Sequence, residues 1–210
     1  MKTFLFQGDS ITDADRFRDE IGKGSRGYAT FVEGKLGCLY PGEIEFYNMG
    51  VSGNRVVDMY ARIKRDFLNI KPDYATVLIG VNDVWHELSD TDDPNGVSDP
   101  KYFRIYCDFI AEILEELPDC KIMILEPFVL CGSGTQAYYD VFRSEVEKRA
   151  ASAKRVAEKF NLPFIPLQAK FDELTKLAPS SFWLADGVHP TAAGHEMIAN
   201  AVVERFNEIR

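Results

Sequence analysis

Short apolar segments alternate with longer amphipathic segments along the whole chain, and no other feature of the sequence constrains the fold as strongly. Residues 75–79 are apolar at nearly every position, which is typical of a parallel strand covered on both faces. The alternation therefore predicts an α/β fold, namely a three-layer α/β/α sandwich around a flavodoxin-like, five-stranded parallel sheet. The predicted strands are residues 2–7, 44–49, 75–79, 121–126 and 162–166, and the predicted helices are residues 28–39, 56–68, 102–117, 138–160 and 191–206.

Composition and charge narrow the class of protein further. The chain has 210 residues, of which 46% are apolar, and this suits one domain that spans residues 1–210. A net charge of −9 disfavours nucleic acid and anionic membrane surfaces as partners, because both would repel the chain. The apolar run within residues 1–7 is too short for a signal peptide or a membrane span, so we expect a cytoplasmic protein.

Small polar residues follow each of the first three predicted strands. Gly8-Asp9-Ser10 comes after the first strand, Gly50-Val51-Ser52-Gly53-Asn54 after the second, and Gly80-Val81-Asn82-Asp83 after the third. Ligands of an open parallel sheet bind outside the carboxyl ends of its strands, so these three segments are expected at one edge. Turn formation explains one such segment, but it explains less well a serine, a glycine and an asparagine at three consecutive strand ends.

These strand ends offer part of the machinery of ester hydrolysis, which requires a nucleophile, a base, and donors directed at the developing oxyanion. Ser10 follows a strand on a tight turn, so its hydroxyl is the candidate nucleophile. The backbone N–H groups of Ser10 and Gly53 and the side-chain amide of Asn82 are candidate oxyanion donors. Gly53 has no Cβ that would obstruct a substrate.

The base is sought among three histidines. His189 precedes Pro190, which disfavours helix at the residue before it, so His189 is expected on a loop at the entrance of the last helix. Asp186 lies three residues earlier, where its carboxylate can bond one imidazole nitrogen and stabilise the imidazolium. His195 is expected within the last helix, with its side chain on the helix surface or partly packed. His86 is a candidate substrate contact. We therefore predict His189 as the general base and Asp186 as the residue that orients it.

Together these segments resemble the SGNH hydrolases, also called GDSL-type esterases and lipases, over nearly the whole chain. The family's blocks correspond to Gly8-Asp9-Ser10, Gly53, Asn82 and Asp186-Gly187-Val188-His189, with Ile11 in place of the leucine of the family's nickname. The resemblance implies the SGNH hydrolase fold, a Ser-His-Asp triad and an oxyanion hole formed by the residues already chosen. It also implies that no metal or organic cofactor is required.

Several segments are similar to intracellular bacterial acetyl-xylan and acetyl-xylooligosaccharide esterases, among them Gly80-Val81-Asn82-Asp83-Val84-Trp85. That resemblance implies an acetylated sugar as the small-molecule substrate and hints at a homo-oligomer. Trp85 and Trp183 are expected near the mouth of the cleft, where flat rings stack on sugar faces, although core packing explains either ring equally well. Asp9 is assigned to the substrate-binding site as well.

Two other functions remain open at this point. A lysophospholipase or acyl-thioesterase needs an apolar acyl groove, and the polar loop at residues 131–136 argues mildly against one. A non-enzymatic flavodoxin-like binding or receiver module would use Asp9 and Asp13 to hold magnesium, which leaves Asp186 and His189 without a role. The acidic segment 89–100 lacks the spacing of a calcium loop and is expected to be a surface loop, so no metal site is predicted.

Overall fold

A parallel sheet forms the centre of the molecule in a computed structural model, which describes residues 1–14, 27–89 and 92–210. Within these ranges the sheet has five strands in the order β2-β1-β3-β4-β5, and every neighbouring pair is parallel. Phe4 of the first strand pairs with Phe46 on one side and with Tyr74 on the other. The strands are β1 (Lys2–Gly8), β2 (Ile44–Asn48), β3 (Tyr74–Leu78), β4 (Lys121–Leu125) and β5 (Phe164–Ile165). The predicted architecture is confirmed.

Helices connect these strands and cover both faces of the sheet. In the described ranges they are α1 (Ser10–Asp13), α2 (Tyr28–Leu39), α3 (Val56–Ala61), α4 (Val81–Leu88), α5 (Asp99–Glu116), α6 (Tyr139–Lys159), α7 (Gln168–Leu174), α8 (Ser180–Trp183) and α9 (Ala192–Ile209). A π-helical turn at Lys64–Leu68 follows α3, and a 3-10 turn at Gln136–Tyr138 precedes α6. None of the helices that the structure describes is both long and apolar enough to cross a lipid bilayer.

Successive residues of β1 point to opposite faces of the sheet and so belong to two separate hydrophobic cores. Phe4 and Phe6 pack into the core under α2 and α9, where the Phe4 and Phe206 ring centroids lie 5.6 Å apart. Leu5 packs into the opposite core with Phe109 of α5. Near-continuous apolar strands are explained by this burial on both sides.

The main departure from the predicted elements is α4, which begins directly after β3. The sequence suggests a turn at residues 80–83, but only Gly80 lies outside the helix, with a φ of +137°. A side chain rarely adopts this φ, so glycine permits the sharp change of direction from strand to helix. As a result Asn82 and Trp85 are on one short helix, and their relative placement is fixed by helical geometry.

Most of the acidic segment 89–100 is an exposed loop, as expected, although residues 90 and 91 lie outside the described part of the chain. Val97 is only 2% exposed, and its backbone N–H donates to the Asp83 carbonyl at 2.8 Å. Arg149 donates from its guanidinium to the Val97 carbonyl at 2.7 Å. The segment then enters α5 at Asp99, three residues earlier than the predicted start, because Pro100 suits the first turn of a helix.

Candidate active site

The three predicted triad residues meet, although they come from opposite ends of the chain. The Ser10 Oγ lies 2.9 Å from His189 Nε2, across 179 residues of sequence. On the other side of the ring, His189 Nδ1 lies 2.7 Å from Asp186 Oδ2. Both distances are within the range of strong hydrogen bonds, and one imidazole therefore links a hydroxyl to a carboxylate. This is the relative placement that a general base and its orienting acid require.

The Asp186 carboxylate is held in its ionised form. Burial by itself would raise the pKa of Asp186, but bonds from the His189 ring and from the backbone N–H groups of His189 and Val188 hold this pKa well below its usual range. Those two backbone N–H groups donate to Asp186 Oδ1 at 2.8 and 2.9 Å. An ionised carboxylate favours the His189 tautomer with its proton on Nδ1, in which the Nε2 lone pair can accept a proton from Ser10.

The predicted oxyanion donors line the same cleft as the triad. Ser10 is the first residue of α1, and N–H groups in the first turn of a helix have no partner within the helix. Gly53 has a φ of +80°, and no described atom outside its chain neighbours lies within 4 Å of the position that a Cβ would occupy. Asn82, at 5% exposure, donates one of its two amide hydrogens to the Asn54 carbonyl at 3.1 Å. Its second amide hydrogen remains for a ligand.

An open cleft of about 750 Å³ contains these groups. Residues of α4 line part of the cleft and include the large indole of Trp85. Smaller residues line another part, among them Ala14 after α1 and Ala192 at the start of α9. The described residues that line it are Ser10, Ala14, Ser52, Gly53, Asn82, Trp85, His86, Ser89, His189, Pro190, Ala192 and His195.

Trp85 both lines the cleft and packs beside His189. Its ring centroid lies 5.7 Å from that of His189 and 5.9 Å from that of Phe142 in the core. Its indole N–H donates to the Tyr138 hydroxyl at 2.9 Å, and that hydroxyl donates in turn to the Gly134 carbonyl at 3.2 Å. The expected position at the cleft is therefore found, together with a packing role.

Asp9 does not make the predicted substrate contact. Its side chain is 1% exposed, and its Oδ1 accepts the Ile11 N–H at 3.0 Å as the N-cap of α1. Burial raises the pKa of Asp9 to about 7, despite the bond from Ile11 and the nearby charge of His189. An aspartate next to a helix start satisfies the backbone of that helix first, so these contacts disfavour the assignment of Asp9 to substrate binding.

Trp183 is also absent from the described lining of the cleft. It lies at the base of a narrow loop, where its carbonyl accepts the Thr191 N–H at 3.0 Å and where Leu184 bridges to Pro190. Its ring packs edge-on against Phe182, with centroids 4.9 Å apart. The prediction relied on closeness to Asp186 in sequence. The loop folds back on itself, however, so Trp183 and Asp186 are at opposite ends of it.

The other two histidines both lie at the cleft. Burial and the charge of Arg55 lower the pKa of His86, which stands beside Trp85 as a candidate substrate contact. His195 is 7% exposed, and its Nδ1 accepts the Tyr28 N–H at 3.1 Å. Burial lowers the pKa of His195 to about 4, so its ring is neutral at pH 7.

Of the two carboxylates that a receiver module would use for magnesium, Asp13 is bonded to protein donors and Asp9 is buried. Asp13 Oδ2 accepts both the backbone N–H and the hydroxyl of Ser52, at 2.9 and 2.8 Å. Asp9 is buried as the helix cap. No group of three or more potential metal ligands occurs among residues 1–14, 27–89 and 92–210. The receiver alternative therefore has no structural support.

The segment at residues 130–138, which contains the predicted polar loop 131–136, supports the loop of Asp186, and the sequence analysis did not foresee this role. The Gly134 N–H donates to the Asp186 carbonyl at 2.8 Å, and the Leu130 N–H donates to the Gly187 carbonyl at 2.8 Å. A Cβ on Gly132 would lie 2.4 Å from backbone atoms of both Asp186 and Gly187. Because glycine has no Cβ, the backbone of this loop can pack directly against the backbone of residues 186 and 187.

Comparison with known proteins agrees with this geometry. The sequence pattern of the GDSL-like Lipase/Acylhydrolase family matches residues 6–197. An acetylxylan esterase from Geobacillus stearothermophilus is 36% identical over 214 residues, which cover 96% of this chain and 92% of that protein. The similarity is therefore not confined to the catalytic segments.

Two solved structures illustrate the likeness of fold. LAE5, an alpha/beta hydrolase enzyme from the metagenome of Lake Arreo, Spain, is 27% identical with a TM-score of 0.88, and the match covers 100% of this chain and 96% of that one. Axe2, an acetylxylan esterase from Geobacillus stearothermophilus, is 32% identical with a TM-score of 0.84, over 97% and 93% of the two chains.

Structures of Axe2 also include catalytic mutants of a serine, an aspartate and a histidine. In Axe2 that serine and aspartate are 176 residues apart, and the aspartate and histidine are 3 apart. Ser10, Asp186 and His189 have the same separations. From the extent of the family match and the identity to the esterase, this chain belongs to the GDSL-like lipase/acylhydrolase family.

Proposed function

We propose that this protein is a serine esterase that removes acetyl groups from a small carbohydrate ester, with Ser10, His189 and Asp186 as its catalytic residues. The observation that carries the proposal is the continuous chain of contacts from the Ser10 Oγ through the His189 ring to the Asp186 carboxylate, at 2.9 and 2.7 Å. It is supported by the catalytic mutants of Axe2, whose serine, aspartate and histidine have the same spacing.

In the first step Ser10 Oγ attacks the ester carbonyl carbon while His189 Nε2 accepts the hydroxyl proton. The carbonyl oxygen becomes an oxyanion, which accepts hydrogen bonds from the Ser10 and Gly53 N–H groups and from the Asn82 amide. When the carbon–oxygen bond to the alcohol breaks, His189 returns the proton to the leaving sugar oxygen. The acetyl group is then bound to Ser10 as an ester.

The second step repeats this chemistry with water as the nucleophile. His189 takes a proton from water, the resulting hydroxide attacks the acetyl carbonyl, and the same three donors stabilise the oxyanion. Collapse of this intermediate releases acetate and returns the proton to Ser10. The Asp186 carboxylate stabilises the imidazolium that forms in each step, which accounts for its ionised state.

The character of the cleft supports a sugar ester as the substrate. Trp85 presents an indole face beside the catalytic histidine, and flat aromatic rings pack favourably on the apolar faces of sugars. His86 and Ser89 add polar side chains to the same wall. Both the curated relative and Axe2 are named acetylxylan esterases.

The test is the rate of hydrolysis of a series of p-nitrophenyl esters from acetate to octanoate, together with acetylated xylose and xylotriose. We expect kcat/KM to be highest for the acetate and to fall steadily with chain length, and acetate to be released from both sugars. Ser10→Ala is the control and should lower turnover by at least about 10³-fold without changing the far-UV circular dichroism spectrum. A preference for octanoate would favour a lysophospholipase or thioesterase instead.

A further inference from the structure

A buried guanidinium joins the carboxyl ends of β1 and β2. Arg62 Nη2 donates to the Gly8 carbonyl at 3.1 Å, and Arg62 Nη1 donates to the Met49 carbonyl at 2.7 Å. Arg62 Nε donates to the Asn54 side-chain oxygen at 2.7 Å. The Arg62 side chain is only 11% exposed, so these bonds form largely away from water.

Two of these acceptors are close in sequence to oxyanion donors of the proposed site. Gly8 is two residues before Ser10, and Asn54 directly follows Gly53. The Asn54 carbonyl also accepts the amide of Asn82, at 3.1 Å. One side chain is therefore within two residues of two donors and reaches the third through Asn54.

We infer that Arg62 is a positioning residue, which keeps the three oxyanion donors at the mutual distances that a tetrahedral intermediate requires. This inference rests on the proposed function, since it assigns Arg62 to the same oxyanion hole. Arg62 does not line the cleft and touches no substrate. Its effect on the reaction is exerted through Gly8 and Asn54, on donors whose position matters most when the oxyanion forms.

The surroundings of Arg62 keep its charge and orientation fixed. The Asp66 carboxylate, 1% exposed, accepts Arg62 Nη1 at 2.7 Å and is also paired with Arg65. Burial lowers the pKa of Arg62, and the bond and charge of Asp66 counteract that effect. Because Asp66 keeps Arg65 as a partner, replacing Arg62 does not leave a buried carboxylate unpaired.

Lysine cannot substitute for this arginine in the same geometry. The guanidinium is planar and directs its N–H groups along a fixed fork toward acceptors on separate segments, whereas an ammonium is a single point of charge. Arg62→Lys thus retains the charge near Asp66 and loses the simultaneous bonds to Gly8, Met49 and Asn54. This makes Arg62→Lys a test of geometry and not of charge.

The experiment is a double-mutant cycle between Arg62→Lys and Asn82→Ala, with steady-state hydrolysis of p-nitrophenyl acetate as the readout. We expect Arg62→Lys to lower kcat by about 10- to 100-fold with KM changed by less than about threefold, since the donors act on the transition state. In the Asn82→Ala background the same substitution should lower kcat by a smaller factor than in the wild type, because one of the three donors that Arg62 positions is already absent. A residue that serves stability alone gives effects that multiply.

Arg149→Lys is the matched control. Arg149 is a second buried arginine, 5% exposed, that pairs with Glu145 and donates to a backbone carbonyl, that of Val97. Its hydrogen bonds join α6 to the segment before α5, and they reach Asp83 of α4 only indirectly, through Val97. We expect Arg149→Lys to lower the melting temperature as much as Arg62→Lys does, while kcat stays within twofold of the wild type.

Asn54→Ala decides the question if Arg62→Lys does not fold. It removes the acceptor of Arg62 Nε and leaves the backbone carbonyl that orients Asn82. We expect about a three- to tenfold loss of kcat and an unchanged pH profile of kcat/KM, because His189 is on a different loop.

The outcomes separate this inference from the proposed function. A folded Arg62→Lys with kcat within twofold of the wild type, or with an effect that multiplies with that of Asn82→Ala, overturns the role of Arg62. If Arg62→Lys does not fold, an Asn54→Ala enzyme with wild-type kcat overturns it as well. If Asn82→Ala alone leaves kcat unchanged, then the oxyanion hole itself is wrongly assigned, whatever Arg62 does.

Discussion

The two halves of the candidate site are held in place by different kinds of contact. The strand-end half, which consists of Ser10, Gly53 and Asn82, follows β1, β2 and β3, so its spacing derives from neighbouring strands of one sheet. The loop half, which consists of Asp186 and His189, belongs to no sheet strand and is held by another loop.

Buried polar groups fix the strand-end half from behind. Asp13 accepts two bonds from Ser52, and Asp83 accepts the Val56 N–H with both of its oxygens, at 3.1 and 3.2 Å. Arg62 adds bonds to the ends of β1 and β2. A buried polar group that loses its partner strongly destabilises the folded protein, so this half tolerates little local movement.

The loop half depends instead on the close approach of two irregular segments. Residues 130–138 donate two backbone hydrogen bonds to residues 186–187, and their glycines leave no space for a side chain between the two backbones. Segments held in this way open at lower free energy than strands in the middle of a sheet. We therefore expect substitutions around the loop half to reduce activity with a smaller loss of global stability than equivalent substitutions behind the strands.

The largest expected effect tests whether the loop half is catalytic at all. Asp186→Asn keeps the size of the side chain and removes the charge that stabilises the imidazolium, so kcat should fall by about 10³- to 10⁴-fold in p-nitrophenyl acetate hydrolysis. Asp172→Asn is the matched control, because Asp172 pairs with Arg143 on the surface, and kcat should then stay within twofold. An Asp186→Asn enzyme with more than a tenth of wild-type kcat would contradict the triad.

A steric change at the supporting loop separates activity from stability. In Gly132→Ala the new Cβ would lie 2.4 Å from backbone atoms of Asp186 and Gly187, so the two loops must move apart. We expect kcat to fall by about 10- to 100-fold and the free energy of unfolding, measured in urea, to fall by about 1–3 kcal/mol.

The control for that change is Gly34→Ala in the exposed part of α2, where nothing lies within 4 Å of the new Cβ. A helical alanine is favoured over glycine, so this variant should gain about 0.5–1 kcal/mol and keep wild-type kcat. If Gly132→Ala loses stability without losing kcat, the supporting loop does not position the triad.

A smaller change at the same loop removes one oxygen atom. Tyr138→Phe deletes the hydroxyl that links Trp85 to the Gly134 carbonyl, and the indole beside His189 then loses its hydrogen bond. We expect a three- to tenfold loss of kcat, on the order of the 0.5–1.5 kcal/mol of a single hydrogen bond. Tyr139→Phe, next in sequence, should have no effect on kcat. Equal kinetics for the two variants would show that the link does not position His189.

The smallest effect on activity is expected at Asp9, which lies in the strand-end half next to Ser10. Burial raises its pKa to about 7 from an ordinary value of 3.8. Between these two pH values the folded protein keeps a proton that the unfolded chain releases, so the free energy of unfolding decreases as pH rises through that window.

Asp9→Asn cannot titrate, and asparagine caps a helix as well as aspartate does. Relative to the wild type, its free energy of unfolding should therefore improve by about 2–4 kcal/mol between pH 4 and pH 8, while kcat at pH 7 stays within threefold. Urea unfolding at a series of pH values measures this difference. Parallel pH curves for the two proteins would show that Asp9 is ionised in the folded state.

The strand-end half could be predicted from the sequence because local patterns carry it. Each of Ser10, Gly53 and Asn82 comes directly after an apolar run, and parallel strands bring their carboxyl ends to one edge. Asp186 and His189 were predicted from their residue types and spacing, since a histidine with an aspartate three residues away is a plausible base and partner. Their distance from Ser10 does not follow from that spacing.

The two assignments that the structure disfavours share one physical origin. Asp9 and Trp183 were assigned to the substrate site from closeness in sequence, but the helix cap and the folded loop turn them toward the protein. Residues Arg62 and Tyr138 showed no signal in the sequence, because their partners are backbone carbonyls and an indole on other segments. Main-chain acceptors are present at every residue, so no pattern of letters marks the one that an arginine will reach.

The sequence by itself determined the class of fold, the order of its strands and helices, and the residue types available for an acyl transfer, because hydrophobic periodicity and strand-end composition are local properties of the chain. The tertiary structure alone decided that His189 meets Ser10 across 179 residues, that a glycine loop holds Asp186, and which buried side chains face the protein. Those outcomes depend on long-range packing, in which the distances between segments are set by the whole core and not by the segments themselves.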